Sequence, residues 1–214
     1  CYKHAQRNPR AVMYGRPLTL EDHQNSRYIS DPVRLYDCCQ ETDGSAAVLL
    51  TTPERAKELK QKPIFIMGAA QGSVFRQAVN LNCREEDFTS PKGLTVARDL
   101  FARAEISPKD IDVAQVYENF TPNVLMALED HGFCKRGEGK DFVEGGRLEW
   151  PDGGLPLNTS GGNLAEAYTH GLELVNEGVR QLRGESTSQV EDAEICLLSS
   201  MGSVACSTNM IIRR

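Results

Sequence analysis

Tyr117, set at a junction between two kinds of run, is the first residue in this chain whose type and place could do chemistry. A phenol both donates and accepts through one hydroxyl, so it can hand a proton either way. Tyr117 lies in the stretch QVYENF, where the β-type run IDVAQV gives way to a helix-like one. In α/β sheets the carboxyl ends of strands are where ligands bind. The plainer role for such a residue is a boundary ring that packs while its hydroxyl meets water.

The run NTSGG, Asn158 to Gly162, is the second candidate. Its glycines permit tight backbone geometry, and it precedes a helical pattern whose N-terminus would offer free N–H groups and partial positive charge. Those features favour an anion or a developing oxyanion. They serve equally in a plain turn capped by Asn158, Thr159 or Ser160. Tyr168 falls six residues into that pattern and shares a helical face with Leu164 and Leu172, a face that could simply be core. His170 reads as a structural or exposed histidine.

The elements that would hold these residues alternate between strand and helix, the pattern of an α/β protein. In DPVRLYDCCQETDGSAAVLLTT, a short strand leads to an Asp43-Gly44 turn and a second apolar strand over Ser45 to Leu50. Pro53 opens a helix over PERAKELKQ, and IFIMGAA is the next strand. Leu94, Ala97, Leu100, Phe101 and Ala104 recur on one face of an amphipathic helix running to Glu105. SPKD breaks it, and IDVAQV follows. A helix from about Thr121 to His131 is closed by Gly132. Residues 135–157 read as a Gly-rich, charged excursion. One long helix is expected from the NTSGG turn to Gly184, then strands AEICLLSS and ACSTNMII joined across Met201-Gly202-Ser203.

The totals exclude several classes. The chain has 214 residues, a net charge of −6, 40% hydrophobic and 25% charged residues. With no basic stripe to neutralise phosphates, a nucleic-acid partner is not expected. No apolar run approaches the roughly 20 residues of a membrane helix, and no signal peptide is recognisable. The seven cysteines are Cys1, Cys38, Cys39, Cys83, Cys134, Cys196 and Cys206. An odd count without CxxC or Cys/His ligand spacing predicts reduced thiols in the cytoplasm and no metal site. The chain opens at Cys1 without a methionine and reads as the interior of a longer protein.

Taken together and in order, YDCCQETDGSAAVLL, GLTVARDLFARAEISPKDIDVAQVYENF, LPLNTSGG and GVRQLRGE resemble the thiolase superfamily, in particular its sterol-carrier-protein-type branch. The resemblance runs from about Asn8 to the end. It implies a thiolase-like layered α/β/α/β/α fold of two similar halves that normally dimerise. Residues 1–62 would be the end of the first half and 63–214 the complete second half. None of the seven cysteines matches the family's nucleophile motif, which belongs to the first half.

The departures from the family pattern suggest a different reaction. Working thiolases of this branch carry His-Asp-x-Phe or Asn-Glu-x-Phe where this chain has YENF. They place a Gly-His-Pro after the Asn-x-x-Gly-Gly loop, and that histidine falls on Tyr168. Their C-terminal acid/base cysteine or histidine falls on Ser199. Tyrosine at both oxyanion-pocket positions resembles lipid-transfer-protein-like aldolases of actinobacterial steroid degradation. The resemblance implies retro-aldol cleavage of a β-hydroxyacyl-CoA steroid thioester to propionyl-CoA and a 17-ketosteroid. No bound cofactor is implied; coenzyme A is part of the substrate. It also implies a hydratase-associated partner built from a zinc ribbon and an OB-like domain.

Retro-aldol chemistry needs no covalent nucleophile, but a tyrosine base near pH 7 faces about 4 kcal/mol of ionisation cost. Tyr117 and Tyr168 are expected to share the proton movements. Asn119, Asn158, Ser199 and the N–H groups of Gly161 and Gly162 are the candidates to hold the substrate or its enolate, and Glu118 is given a supporting role. A 3-ketoacyl-CoA thiolase and a thiolase-like subunit without chemistry are the alternatives.

Overall fold

The computed structural model describes residues 1–73, 91–200 and 206–214, the first three of the second segment by backbone alone. Cys83 and the Met201-Gly202-Ser203 link lie outside the described residues. The N-terminal segment contributes α1 (Tyr2–Ala5), α2 (Leu20–Asn25) and a two-stranded ribbon of β1 (Tyr28–Ser30) and β2 (Val33–Arg34). After α3 (Pro53–Ala56) come β3 (Phe65–Gly72), α4 (Pro91–Ala104), β4 (Val113–Val116) and α5 (Pro122–Asp130). Next are the short α6 (Gly139–Phe142) and α7 (Gly162–Ala165), α8 (Leu172–Arg183), β5 (Ile195–Ser200) and β6 (Ser207–Arg213).

One four-stranded sheet, ordered β3-β6-β5-β4, organises the chain. β6 is antiparallel to both neighbours, and β4 runs parallel to β5. Parallel neighbours need a crossover, which α8 completes. Successive strand residues point to opposite faces, and the core divides accordingly. Ala114, Val116, Leu197 and Ile211 face α4 and α5, packing with Val96, Leu100, Phe101, Ala104, Ala127 and Leu128. Val113, Cys196, Leu198 and Ile212 face α8, against Val175, Val179 and Leu182. The sheet is therefore buried on both faces, with helices above and below.

Four expectations from the sequence are corrected. Ser45 to Leu50 forms no strand; Leu49 and Leu50 are 83% and 73% exposed. An apolar run becomes a strand only beside a partner, and none of the described strands pairs with it. The helix begun by Pro53 is a single turn, capped by Thr52. Leu94 is half exposed, whereas Ala97, Leu100, Phe101 and Ala104 share the buried face. The long helix expected to Gly184 is two helices, because His170 and Gly171 adopt left-handed φ values of 62° and 91°. A right-handed helix cannot continue through such residues, so Tyr168 sits in a bend and shares no helical face with Leu164 and Leu172.

A candidate active site built on two tyrosines

The site begins at the outer edge of β4. Ala114 donates to Pro156 O at 3.1 Å, and Asn158 N donates to Ala114 O at 3.0 Å. Beyond that point the Asn158 side chain takes over from the backbone. Val116 N donates to Asn158 Oδ1, and Asn158 Nδ2 donates to Val116 O, each at 2.8 Å. On the other side, Tyr117 N donates to Ser199 O of β5 at 2.8 Å. The first residue past the strand is thus pinned between two neighbours.

Tyr168 is reached from the far side of the fold. Its N–H donates to Thr42 Oγ1 at 2.8 Å, and Thr42 belongs to a strap that crosses the site. Cys39 N donates to Asn119 O at 2.9 Å, and Gln40 N to Asn163 O at 3.0 Å. The two phenol oxygens end 2.7 Å apart, with ring centroids at 6.2 Å. His170 completes an aromatic triangle, 6.0 Å from Tyr117 and 5.6 Å from Tyr168. Burial, and then the hydrogen bond with Tyr168, push the Tyr117 phenol well above its ordinary pKa. It stays protonated at neutral pH.

The acid beside Tyr117 does different work. Glu118 is fully buried, and its Oε2 accepts from Asn163 Nδ2 at 2.8 Å. Its Oε1 accepts from Leu164 N at 3.3 Å. A β-carbon at Gly162 would overlap Glu118 Oε1, and Gly162 has φ 59°, so glycine is required there on both counts. The protein's own carboxylate therefore occupies the start of the four-residue α7, where the sequence suggested a site for a substrate anion. Desolvation pushes the Glu118 carboxyl up to about 7.

A cavity of about 620 Å³ opens at the tyrosine pair. Tyr117, Asn119, Tyr168 and His170 line one end, and Leu172, Val175, Leu198 and Met210 make an apolar wall. Ser199 also lines it, although strand alternation puts its side chain on the Val116 and Leu197 face, where its Oγ is buried with no hydrogen-bond partner among the described residues. The Asn119 amide is oriented by Asn123, whose Nδ2 donates to Asn119 Oδ1 at 2.5 Å. Of the candidates read from the sequence, Tyr117, Tyr168, Asn119 and Ser199 meet in this cavity. Asn158, Gly161 and Gly162 are buried behind it, and Gly161 N is already bonded to Asn158 O at 3.0 Å.

Sequence reasoning did not find Gln115, Thr42 or Glu173. Gln115 left a signal: it is two residues before Tyr117, so strand alternation puts both on one face, and both line the cavity. Thr42 left none, being 126 positions from the residue it holds. Among the described residues no cluster of His, Cys, Asp or Glu is arranged to hold a metal ion, and no helix is long and apolar enough to cross a membrane.

A strand-end residue facing a bend, with a helix-covered sheet behind, recurs in known proteins, and comparison shows the family to which this one belongs. Residues 77–214 match the family model described as thiolase C-terminal domain-like. The chain belongs to that family. It is 48% identical to the 17-hydroxy-3-oxo-4-pregnene-20-carboxyl-CoA lyase of Mycobacterium tuberculosis, over 92% of this chain and 51% of that protein. It is 47% identical to the steroid side-chain-cleaving aldolase of Thermomonospora curvata, over 92% of this chain and 51% of that one. The solved Ltp2-ChsH2(DUF35) aldolase superposes with a TM-score of 0.93 at 44% identity, covering 99% of this chain and 55% of that chain. The expected thiolase-like fold is thereby shown. The chain spans about half the length of the curated relatives it matches.

Proposed function

We propose that the protein containing this chain cleaves a carbon–carbon bond by retro-aldol chemistry in a β-hydroxyacyl-CoA thioester. The substrate is a 17-hydroxy steroid side chain, and the products are propionyl-CoA and a 17-ketosteroid. The observation that carries this reading is the 2.7 Å contact between the Tyr117 and Tyr168 hydroxyls at the cavity. Close relatives named for lyase and aldolase activity on steroid side chains support it.

A free phenolate at Tyr117 is disfavoured by burial, so the proton moves by relay. The substrate's β-hydroxyl gives its proton to Tyr168 oxygen as the carbon–carbon bond breaks. Tyr168 passes its own proton to Tyr117 oxygen, and Tyr117 delivers its proton to the α-carbon of the thioester enolate. One proton leaves oxygen and one reaches carbon, and both tyrosines begin and end neutral. The relay avoids the ionisation cost of about 4 kcal/mol that a lone tyrosine base would meet. Asn119 Nδ2 holds the thioester oxygen as negative charge builds there, and Ser199 supports the pocket through its carbonyl, which accepts from Tyr117 N. Asn158, Gly161 and Gly162 act through Tyr117 and Glu118 as the frame of the pocket.

In this reading residues 1–62 end the first thiolase half and 63–214 form the second. The protein works in the cytoplasm as a homodimer, binds no cofactor beyond the CoA of its substrate, and pairs with a zinc-ribbon and OB-like subunit. A structural relative named as an aldolase complex with a DUF35 partner supports the last point.

The test offers the full-length protein, with that partner, a 17-hydroxy steroid side-chain CoA thioester and separately a 3-ketoacyl-CoA with free CoA. Products are identified by mass. Propionyl-CoA and a 17-ketosteroid from the first substrate alone are expected. Thiolysis of the second would mean an acyltransferase, and no product from either would mean a subunit without chemistry.

A further inference from the structure

Glu173 is a buried carboxylate beside the tyrosine pair that the relay does not use. It stands in the first turn of α8 and is 7% exposed. Its Oε2 accepts from Thr169 Oγ1 at 2.5 Å and from Gly171 N at 3.1 Å. One oxygen thus gathers donors from both sides of His170, the residue forced into left-handed backbone at φ 62°. The other oxygen, Oε1, is buried with no hydrogen-bond partner among the described residues. Arg180 of the same helix pairs with Glu166 and Glu177 instead. A buried carboxylate kept in this half-satisfied state is unfavourable for folding and asks for a functional reason.

The bend that Glu173 ties is the one carrying the second tyrosine. Its near end, Tyr168, is fixed by Thr42. Its far end, Gly171, packs so closely on the Tyr117 ring that a β-carbon would lie 2.9 Å from Cδ2. We propose that Glu173 is a positioning residue, which holds the 168–171 bend so that the Tyr168 hydroxyl stays on the Tyr117 hydroxyl. The inference rests on the cleavage reading above for its role in turnover, and on geometry alone for its role in the tyrosine pair. The groups whose charges bear on Tyr117 are Tyr168, Cys39 and Glu173; Glu166 also bears on Glu173.

The experiment compares wild type, Glu173→Ala and Glu173→Gln in the full-length protein with its partner subunit. It reads kcat and KM for steroid thioester cleavage, and the near-ultraviolet circular dichroism of the tyrosines, with Tyr117→Phe assigning the Tyr117 component. Glu173→Ala is expected to lose about 100-fold in kcat, the scale of a misplacement of about 1 Å, with KM within about threefold. Glu173→Gln, whose amide oxygen still accepts from Thr169 and Gly171, is expected within about tenfold of wild type. In Glu173→Ala the Tyr117 component of the dichroism should fall, because the two rings no longer keep one mutual geometry. An unchanged Tyr117 component in Glu173→Ala, or equal kcat loss in both variants, would overturn the proposal. A wild type without cleavage would overturn the reaction reading instead, leaving the dichroism to judge Glu173.

Discussion

Asn158 grips Val116 by both of its peptide groups, accepting from its N–H and donating to its carbonyl, each at 2.8 Å. The side chain imitates a neighbouring strand for one residue, at the point where β4 delivers Tyr117. Asn158→Ala should leave two buried backbone groups unpaired and destabilise by roughly 2–4 kcal/mol, at about 1–2 kcal/mol per group. Denaturant unfolding measures this; a loss below about 0.5 kcal/mol would mean the clamp is ornamental.

Removing either phenol oxygen should break the relay. Tyr117→Phe and Tyr168→Phe are each expected to lower kcat at least about 100-fold, the usual scale for a positioned acid or base. The double variant should be little worse than the worse single one, since both remove one relay. Near-normal turnover in either variant would end the proposed mechanism. Unfolding midpoints close to wild type would assign the loss to chemistry.

The Glu118 carboxyl makes stability depend on pH in an unusual direction. Burial raises it from 4.5 to about 7 in the folded protein, so the folded state holds its proton more tightly than the unfolded one. The sign follows from linkage: its contribution is fully present below about pH 4.5 and is lost as pH rises through 7. The span corresponds to roughly 3 kcal/mol at most. Glu118→Gln should flatten the stability profile between those pH values in a denaturation series. A variant with the wild-type slope would show that another group titrates there.

Gly171 couples the bend to the Tyr117 ring. Gly171→Ala must place a β-carbon at φ 91° and 2.9 Å from Cδ2 of that ring. Backbone strain of about 1–2 kcal/mol is expected, together with a kcat loss of about tenfold or more as the ring shifts. Steady-state kinetics beside an unfolding curve separates the two effects. Unaltered kcat would show that the ring tolerates displacement.

What could be read from the sequence follows the range of the interactions involved. The strands of the main sheet were legible because their apolar residues alternate toward two faces, as Val113 with Ala114 and Ile211 with Ile212 do. The Ser45 to Leu50 run shows the same apolar character without a strand beside it, and pairing is not written in a single segment. The break at His170-Gly171 was hidden because a helical pattern runs through it; what bends it is the local grip of Glu173 on Thr169 and Gly171. Tyr117 and Tyr168 stood out through family resemblance, whereas their 2.7 Å contact across 51 positions is a product of folding. Asn158 was read as a contact for substrate, yet its amide is spent on the backbone of Val116.

The clamp on β4 also decides how the sheet can grow. Residues 156–158 and the Asn158 amide take up the outward peptide groups of that strand, so this border offers no row of free donors and acceptors to a newcomer. Among the described strands, β3 is the other border, bonded to β6 alone. An open border is a template for pairing with another chain. Among the described strands, β3 is therefore the border where a strand from a second molecule could pair, on the side of the sheet opposite β4.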